Sequence, residues 1–233
     1  SGGPEPRRMS REGDPPGGDP WAALRRFTPA RIALGRAGAG QPTRGLLDFA
    51  LAHARARDAV QAGLDVDRLA AEIGALGFEA VRVASAAPDR ATYLARPDLG
   101  RVLSGEARTA LSERAEGGCD LAIVIADGLS SPAVARNAAP LLVALRPWIE
   151  AAGWRPAFVL ATQTRVALGD AVAECLRAKA VLVLIGERPG LSASDGLGAY
   201  VTFAPRPGVT KDADRNCLSN VRPGGLGFDQ AAF

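Results

Sequence analysis

Three apolar runs in the second half of the chain, "DLAIVIADGLSS", "PAFVLAT" and "KAVLVLIG", leave little choice of fold. Each is short, rich in β-branched residues and apolar at successive positions, the pattern of a strand covered on both faces. Between them lie "SPAVARNAAPLLVALRPWIEAAG" and "GDAVAECLRA", both helical in spacing. The first has Ser130 or Ser131 as its cap and Pro132 just inside. Strand, helix, strand, helix, strand predicts a parallel sheet with right-handed crossovers. "AYVTFAP" is expected to add a fourth strand. In such sheets ligands bind beyond the carboxyl ends of the strands. The loops after the runs are therefore the first place to look for chemistry.

Ahead of Gly118 the pattern is different. Residues 1–19, "SGGPEPRRMSREGDPPGGD", are Pro, Gly and charge, and read as a flexible lead. "DPWAALRRF" offers a helix start, with Asp19 as cap and Pro20 at the first helical position. "PTRGLLDFALAHARARDAVQAG" repeats Leu46, Leu47, Ala50, Leu51 and Ala54 at helical spacing, with Pro42 or Thr43 at its start. "DVDRLAAEIGALGF" is a shorter amphipathic helix capped by Asp65 and closed by Gly77. "EAVRVASAA" suggests a short strand and "SGEARTALSERAEG" a helix. The expectation is an α/β chain. A mostly helical N-terminal domain over residues 20–115 precedes a Rossmann-like parallel-sheet domain over 116–233.

Bulk properties exclude several function classes. The net charge is +3, from 28 basic and 25 acidic residues, with no Lys/Arg block, so nucleic acid is not indicated. No apolar run approaches the ~18 residues of a membrane helix, and no secretory signal pattern is present. Cys119, Cys175 and Cys217 are an odd count without a C-x-x-C pair, which indicates a reduced, intracellular protein. The single histidine, His53, excludes a His-rich metal site, and it lies in the helical part. No Ser-His-Asp or Cys-His set can then be assembled on the sheet. There is no G-x-G-x-x-G after the first strong strand and no G-x-x-x-x-G-K-[ST]. These features describe a binding platform without a full catalytic set.

Four loops carry the polar residues such a platform needs: "ADGLSS", "TQTRVALGD", "GERPGLSASD" and "APRPGVTKDADRNCLSNVRPGG". The last is long, polar and too poor in aliphatic residues for core. Each has a plainer reading. Asp127-Gly128 can cap a turn. Glu187 and Arg188 can form a surface ion pair. Cys217 can be a small buried hydrophobe, with no histidine near it to activate it.

Together these loops, in the order "LRRFTPARIALGRAGAGQPTRGLLDFALAHARARDAV", "RATYLARPDLGR", "VIADGLSS", "RVALGD", "LIGERPGLSASDGLGAY", "APRPG" and "DADRNCLSNVRPGGL", resemble the small (light) subunit of ethanolamine ammonia-lyase. The resemblance covers about residues 21 to 232. It implies an adenosylcobalamin-dependent enzyme, built with a large TIM-barrel subunit, that converts ethanolamine to acetaldehyde and ammonia by radical chemistry in the large chain. The small chain's implied part is to help hold the cofactor between the two. The family binds cobalamin with the cofactor's own base under cobalt, which agrees with the missing D-x-H-x-x-G loop. Its small-subunit cofactor contacts fall on Val166 in "TRVALGD", Glu187 in "IGERPGL" and Cys217 in "RNCLSN". Val166 would offer backbone and an apolar face, Glu187 would accept hydrogen bonds, and Cys217 would pack without reacting. Arg188 or a neighbouring donor should compensate Glu187. Arg25, Arg26, Arg31 and Arg36, with Phe27 and Ile32, would suit docking on another chain; the plainer reading is a solvated basic face.

The sequence also departs from the family. Thr164 stands where the family usually has Gly, and a β-branched residue resists the positive φ that glycine allows. The final "QAAF" falls where relatives continue into a C-terminal helix and tail. These departures motivate an alternative, a non-catalytic cobalamin-binding or assembly module derived from that subunit. The resemblance implies a cytoplasmic enzyme. Some family members enter bacterial microcompartments through an amphipathic N-terminal helix, a pattern absent from residues 1–19.

Overall fold

The computed structural model describes residues 21–28 and 30–233. The expected flexible lead, and the Asp19-Pro20 helix start, lie outside the described residues. Contacts divide the chain into two units, residues 1–55 and 56–233.

In the first unit a 3-10 helix, Ala22–Phe27, precedes α1, Thr43–Gln61, which runs across the division. The helical spacing of Leu46, Leu47 and Leu51 is real, but these side chains face solvent, at 56%, 63% and 50% exposure. Only Ala59 of α1 is buried.

The second unit is one mixed six-stranded sheet with helices on both faces. Its strands are β1 (Ala80–Ala84), β2 (Cys119–Ala126), β3 (Pro156–Thr162), β4 (Ala178–Gly186), β5 (Leu197–Phe203) and β6 (Asn216–Val221), in the spatial order β1-β3-β2-β4-β5-β6. The first four in that order are parallel; β5 is antiparallel to both of its neighbours. A wholly parallel sheet was expected, and the two antiparallel pairings correct that. Only residues 187–196 connect β4 to β5, and a short loop between neighbouring strands reverses direction instead of crossing over.

The apolar runs form strands because both of their faces are covered. In β2, Leu121, Ile123 and Ile125 point to one side and Ala122, Val124 and Ala126 to the other. The larger set meets α2 (Val66–Ala75) through Leu69 and Ile73, and α5 (Ser131–Ala151) through Val134, Leu141 and Leu142. The smaller set meets α4 (Gly105–Ser112) through Ala107 and Leu111, and α6 (Leu168–Cys175) through Leu168 and Val172. Each of these buried Leu and Ile side chains contributes about 1.5–3 kcal/mol relative to exposure. The fit on the α6 side is close: a Cβ on Gly169 would come within 2.5 Å of Val183 Cγ2. Two short helices complete the unit, α3 (Arg90–Ala95) and α7 (Phe228–Ala232), the latter packed on α5 and β6.

Local chemistry sets the boundaries. Ser130 is the α5 cap, its Oγ accepting from Ala133 N, and Pro132 sits in the first turn. Asp65 caps α2 by accepting from Arg68 N, and Gly77 ends it at φ +82°. Pro140 and Pro147 lie inside α5 on its exposed side, where water can meet the carbonyls they leave free.

Two further expectations need correction. A division at 115/116 would separate β1 and α4 from the sheet they belong to, because β1 pairs with β3 along its whole length. And the long loop after β5 contains β6, an edge strand whose residues are exposed except Val221. An edge strand with one face in water needs no aliphatic run, which is why composition hid it.

Candidate functional site

The chain leaves β2, crosses to β3 on one side, then crosses back over β2 to β4 on the other. The connections at the carboxyl ends of β2 and β4 therefore diverge and leave a crevice. It is a cavity of about 410 Å³ whose walls include Gly128, Leu129, Arg165, Val166, Glu187 and Tyr200. Its floor is backbone. Leu129 N donates to Gly186 O at 2.8 Å, and a Cβ on Gly128 would collide with that carbonyl. Only glycine lets the two strand ends meet so closely, and Gly128 also takes φ +55°.

Glu187 follows β4 directly and lines this cavity, half-buried. Its Oε1 accepts from Ser219 Oγ at 2.5 Å and its Oε2 from Asn220 N at 3.1 Å. Both donors come from β6. They compensate the carboxylate where Arg188 was the expected partner; the Arg188 side chain forms no ion pair with any described residue. Gly196 and Gly198 on the facing segment leave the room, since a Cβ on Gly196 would approach Glu187 Oε2 to 2.8 Å.

Val166 lines the same cavity from the loop after β3. Cys217 does not line it. It lies on β6 opposite Tyr200 of β5, and it is exposed, not the buried hydrophobe of the plainer reading. Its link to the crevice is Tyr200. Burial first, then a hydrogen bond with Cys217 and the charges of Glu187 and Asp212, push the Tyr200 hydroxyl up to about 12. At neutral pH it keeps its proton and can donate.

Asp127 does more than cap a turn. It is buried, and its carboxylate accepts from Thr164 N at 3.0 Å, Gln163 N at 2.8 Å and Arg90 Nη1 at 3.1 Å. Burial pushes this carboxyl up, opposed by the two backbone donors and by Arg90. The arrangement shapes the loop that carries Arg165 and Val166. Gln163 takes the left-handed conformation there, at φ 56°. Thr164 does not. It is fully buried, its Oγ1 donating to Thr162 O at 3.1 Å and its carbonyl accepting from Tyr93 Oη at 2.8 Å. The expected strain at Thr164 is thus absent, because the neighbouring residue carries the positive φ.

Tyr93 sits under this loop. The guanidinium carbons of Arg90 and Arg165 stand 5.0 and 4.6 Å from its ring centre. Burial pushes its hydroxyl up to about 12 despite both arginines. Beyond Arg165 a second cavity of about 270 Å³ opens, lined by Arg101, Arg165, Val166, Tyr200, Asp212 and Arg215. Arg165, Val166 and Tyr200 belong to both cavities. Arg215 is buried and clamped by Asp170 through two bonds of 2.7 Å, with Thr202 Oγ1 at 3.1 Å, which fixes the chain just before β6 against α6.

Tyr93, Arg165, Tyr200 and Ser219 were not singled out from the sequence. Arg165 stood beside Val166 in a strand-end loop and was accessible to the same argument. Tyr93 was not, since its partner Thr164 lies 71 positions away. Among the described residues no group of three or more His, Cys, Asp and Glu could hold a metal ion. No helix among them is long and apolar enough to cross a membrane.

A mixed α/β sheet with a polar crevice at the carboxyl ends of its strands, two arginines on its wall, defines an α/β domain with a candidate binding crevice. Comparison with known proteins makes the class specific. Residues 18–233 match the family described as ethanolamine ammonia-lyase light chain (EutC), and the chain belongs to that family, part of an ammonia-lyase. A protein of Bradyrhizobium diazoefficiens named ethanolamine ammonia-lyase small subunit is 56% identical over 92% of this chain and 82% of its own length. Proteins of the same name from Ralstonia nicotianae and Azotobacter vinelandii are each 54% identical, over 92% of this chain and 80% of their lengths.

Proposed function

We propose that this chain holds adenosylcobalamin against a large, TIM-barrel partner subunit, and that the pair converts ethanolamine to acetaldehyde and ammonia. One observation carries the reading. The residues to which the family resemblance assigned cofactor contact, Val166 and Glu187, share one crevice at the strand ends, and Cys217 adjoins it through Tyr200.

The chemistry of the walls suits an amide-rimmed macrocycle. The outward lone pairs of Glu187 can accept from cofactor amides or hydroxyls while Ser219 and Asn220 hold the carboxylate still. Tyr200 supplies a hydroxyl donor, Arg165 a guanidinium, and Val166 with Leu129 apolar surface. A cobalamin is far larger than either cavity, so this chain would cover one part of it and a partner the rest. Bound there, the cofactor would supply the radical that starts the deamination. The chain's own residues would bind, orient and exclude water. In the first unit, exposed Trp21, Phe27, Leu46 and Leu47, with Arg26 4.6 Å from the Phe27 ring centre, offer an apolar and cationic surface for the partner.

The test is a spectral titration of adenosylcobalamin into this chain co-expressed with its large subunit. The complex should bind, and Glu187→Ala should weaken binding at least about tenfold while leaving the thermal midpoint within a few degrees. Equal loss of folded protein and of binding would make Glu187 a structural residue and contradict the reading.

A further inference from the structure

Four arginines stand on the joined walls of the two cavities: Arg101, Arg165, Arg188 and Arg215. Only Arg215 is met by carboxylates. Asp170 takes two of its nitrogens at 2.7 Å, and Asp212 lies 3.5 Å from its Nε. Arg101, Arg165 and Arg188 form no ion pair with any described residue. Asp212 is the one carboxylate among the described residues on the second cavity's wall, and Arg215 already engages it.

Arg101 and Arg165 are brought together by the backbone. Arg165 N donates to Gly100 O at 2.8 Å, so the two arginines flank one hydrogen bond and line the same 270 Å³ cavity. Gly100 has no room for a side chain: a Cβ there would come within 2.8 Å of the Tyr93 ring and 3.1 Å of Arg165 Cγ. Arg165 is thereby fixed between Gly100 and the Tyr93 ring, and its buried Nε donates to no described residue. Two like charges on the wall of one cavity favour an anion between them, and a guanidinium fork fits the oxygens of a phosphate.

We propose that Arg101 and Arg165 form an oxyanion site for a phosphate group, carried by the cofactor's nucleotide tail or free in solution. The first source rests on the cofactor reading above; the site itself does not. The site would anchor the tail at one end of the crevice while Glu187 engages the cofactor at the other.

The experiment compares adenosylcobinamide with adenosylcobinamide phosphate, two ligands that differ by one phosphate, on the complex with the large subunit. Arg101 is exposed and lines only the smaller cavity, so Arg101→Gln should fold. The wild-type complex should bind the phosphate form at least about tenfold tighter, and R101Q should abolish that preference while leaving adenosylcobinamide affinity unchanged. Inorganic phosphate is titrated separately by phosphorus NMR. Saturable phosphate binding that R101Q removes, without a preference between the two cobinamides, supports the site with free phosphate as its ligand. No preference and no phosphate binding overturns the proposal, as does a preference that survives in R101Q. A wild-type complex that binds neither cobinamide contradicts the cofactor reading instead, and the phosphate titration then decides the site alone.

Discussion

Glu187 is held by a hydroxyl and a backbone N–H that arrive from 32 and 33 positions further along the chain. Charge-assisted bonds of this kind fix a carboxylate without neutralising it, so it remains available to a ligand. Asp127 uses the same device for a different end. Its oxygens accept two successive N–H groups of a strained turn and one arginine, and they set the conformation of the loop bearing Arg165 and Val166. Removing that carboxylate would leave two backbone donors unmatched and the half-buried Arg90 charge without its ion pair. Asp127→Ala should therefore destabilise the chain by about 3 kcal/mol, measurable by denaturant unfolding. A change below about 1 kcal/mol would mean that the turn holds its shape without Asp127. Neither role was legible in "ADGLSS" or "GERPG" alone. Residue type and position after a strand marked both as candidates, but their partners are long-range, and a single sequence does not display which donors meet them.

At the level of elements, the strands buried on both faces were legible and the edge was not. β2, β3 and β4 announce themselves because continuous apolar runs have no other stable use in a chain of this composition. β6 carries "NCLSNV", with five of its six positions exposed, and it resembles the turns around it. Yet β6 completes the site: it brings Ser219 and Asn220 to Glu187 and sets Cys217 beside Tyr200. The opposite end of the sheet is tied by Asp120, which accepts from Lys179 Nζ at 2.7 Å and from Arg155 N at 2.9 Å, joining the starts of β2, β3 and β4. Those partners, Lys179 first, lower its carboxyl from 3.8 to about 2. A depressed folded-state value contributes stability above pH about 4 that is lost as pH falls towards 2. Asp120→Asn should lower the thermal midpoint at neutral pH and flatten its fall between pH 4 and pH 2. A midpoint curve parallel to wild type across that window would show that the Lys179 and Arg155 contacts contribute nothing.

For the whole molecule, the α/β class, a crevice at the strand ends and the family were all within reach of the sequence, while the division into units was not. The helical segments before Gly118 suggested a separate domain up to residue 115. The contacts instead divide the chain at residue 55, because β1, α2 and α4 complete the sheet's layers. The Thr164 departure, which favoured a non-catalytic derivative, loses its force once Gln163 is seen to carry the positive φ. The central proposal is that this chain forms an indispensable side of a cobalamin site in an ethanolamine ammonia-lyase. The most direct measurement is acetaldehyde formation from ethanolamine by the chain co-expressed with its large subunit and supplied with adenosylcobalamin. Turnover should appear with all three components and vanish when either chain or the cofactor is left out. Undiminished turnover by the large subunit and cofactor alone, or a folded two-chain complex that binds the cofactor without turnover, would contradict the claim.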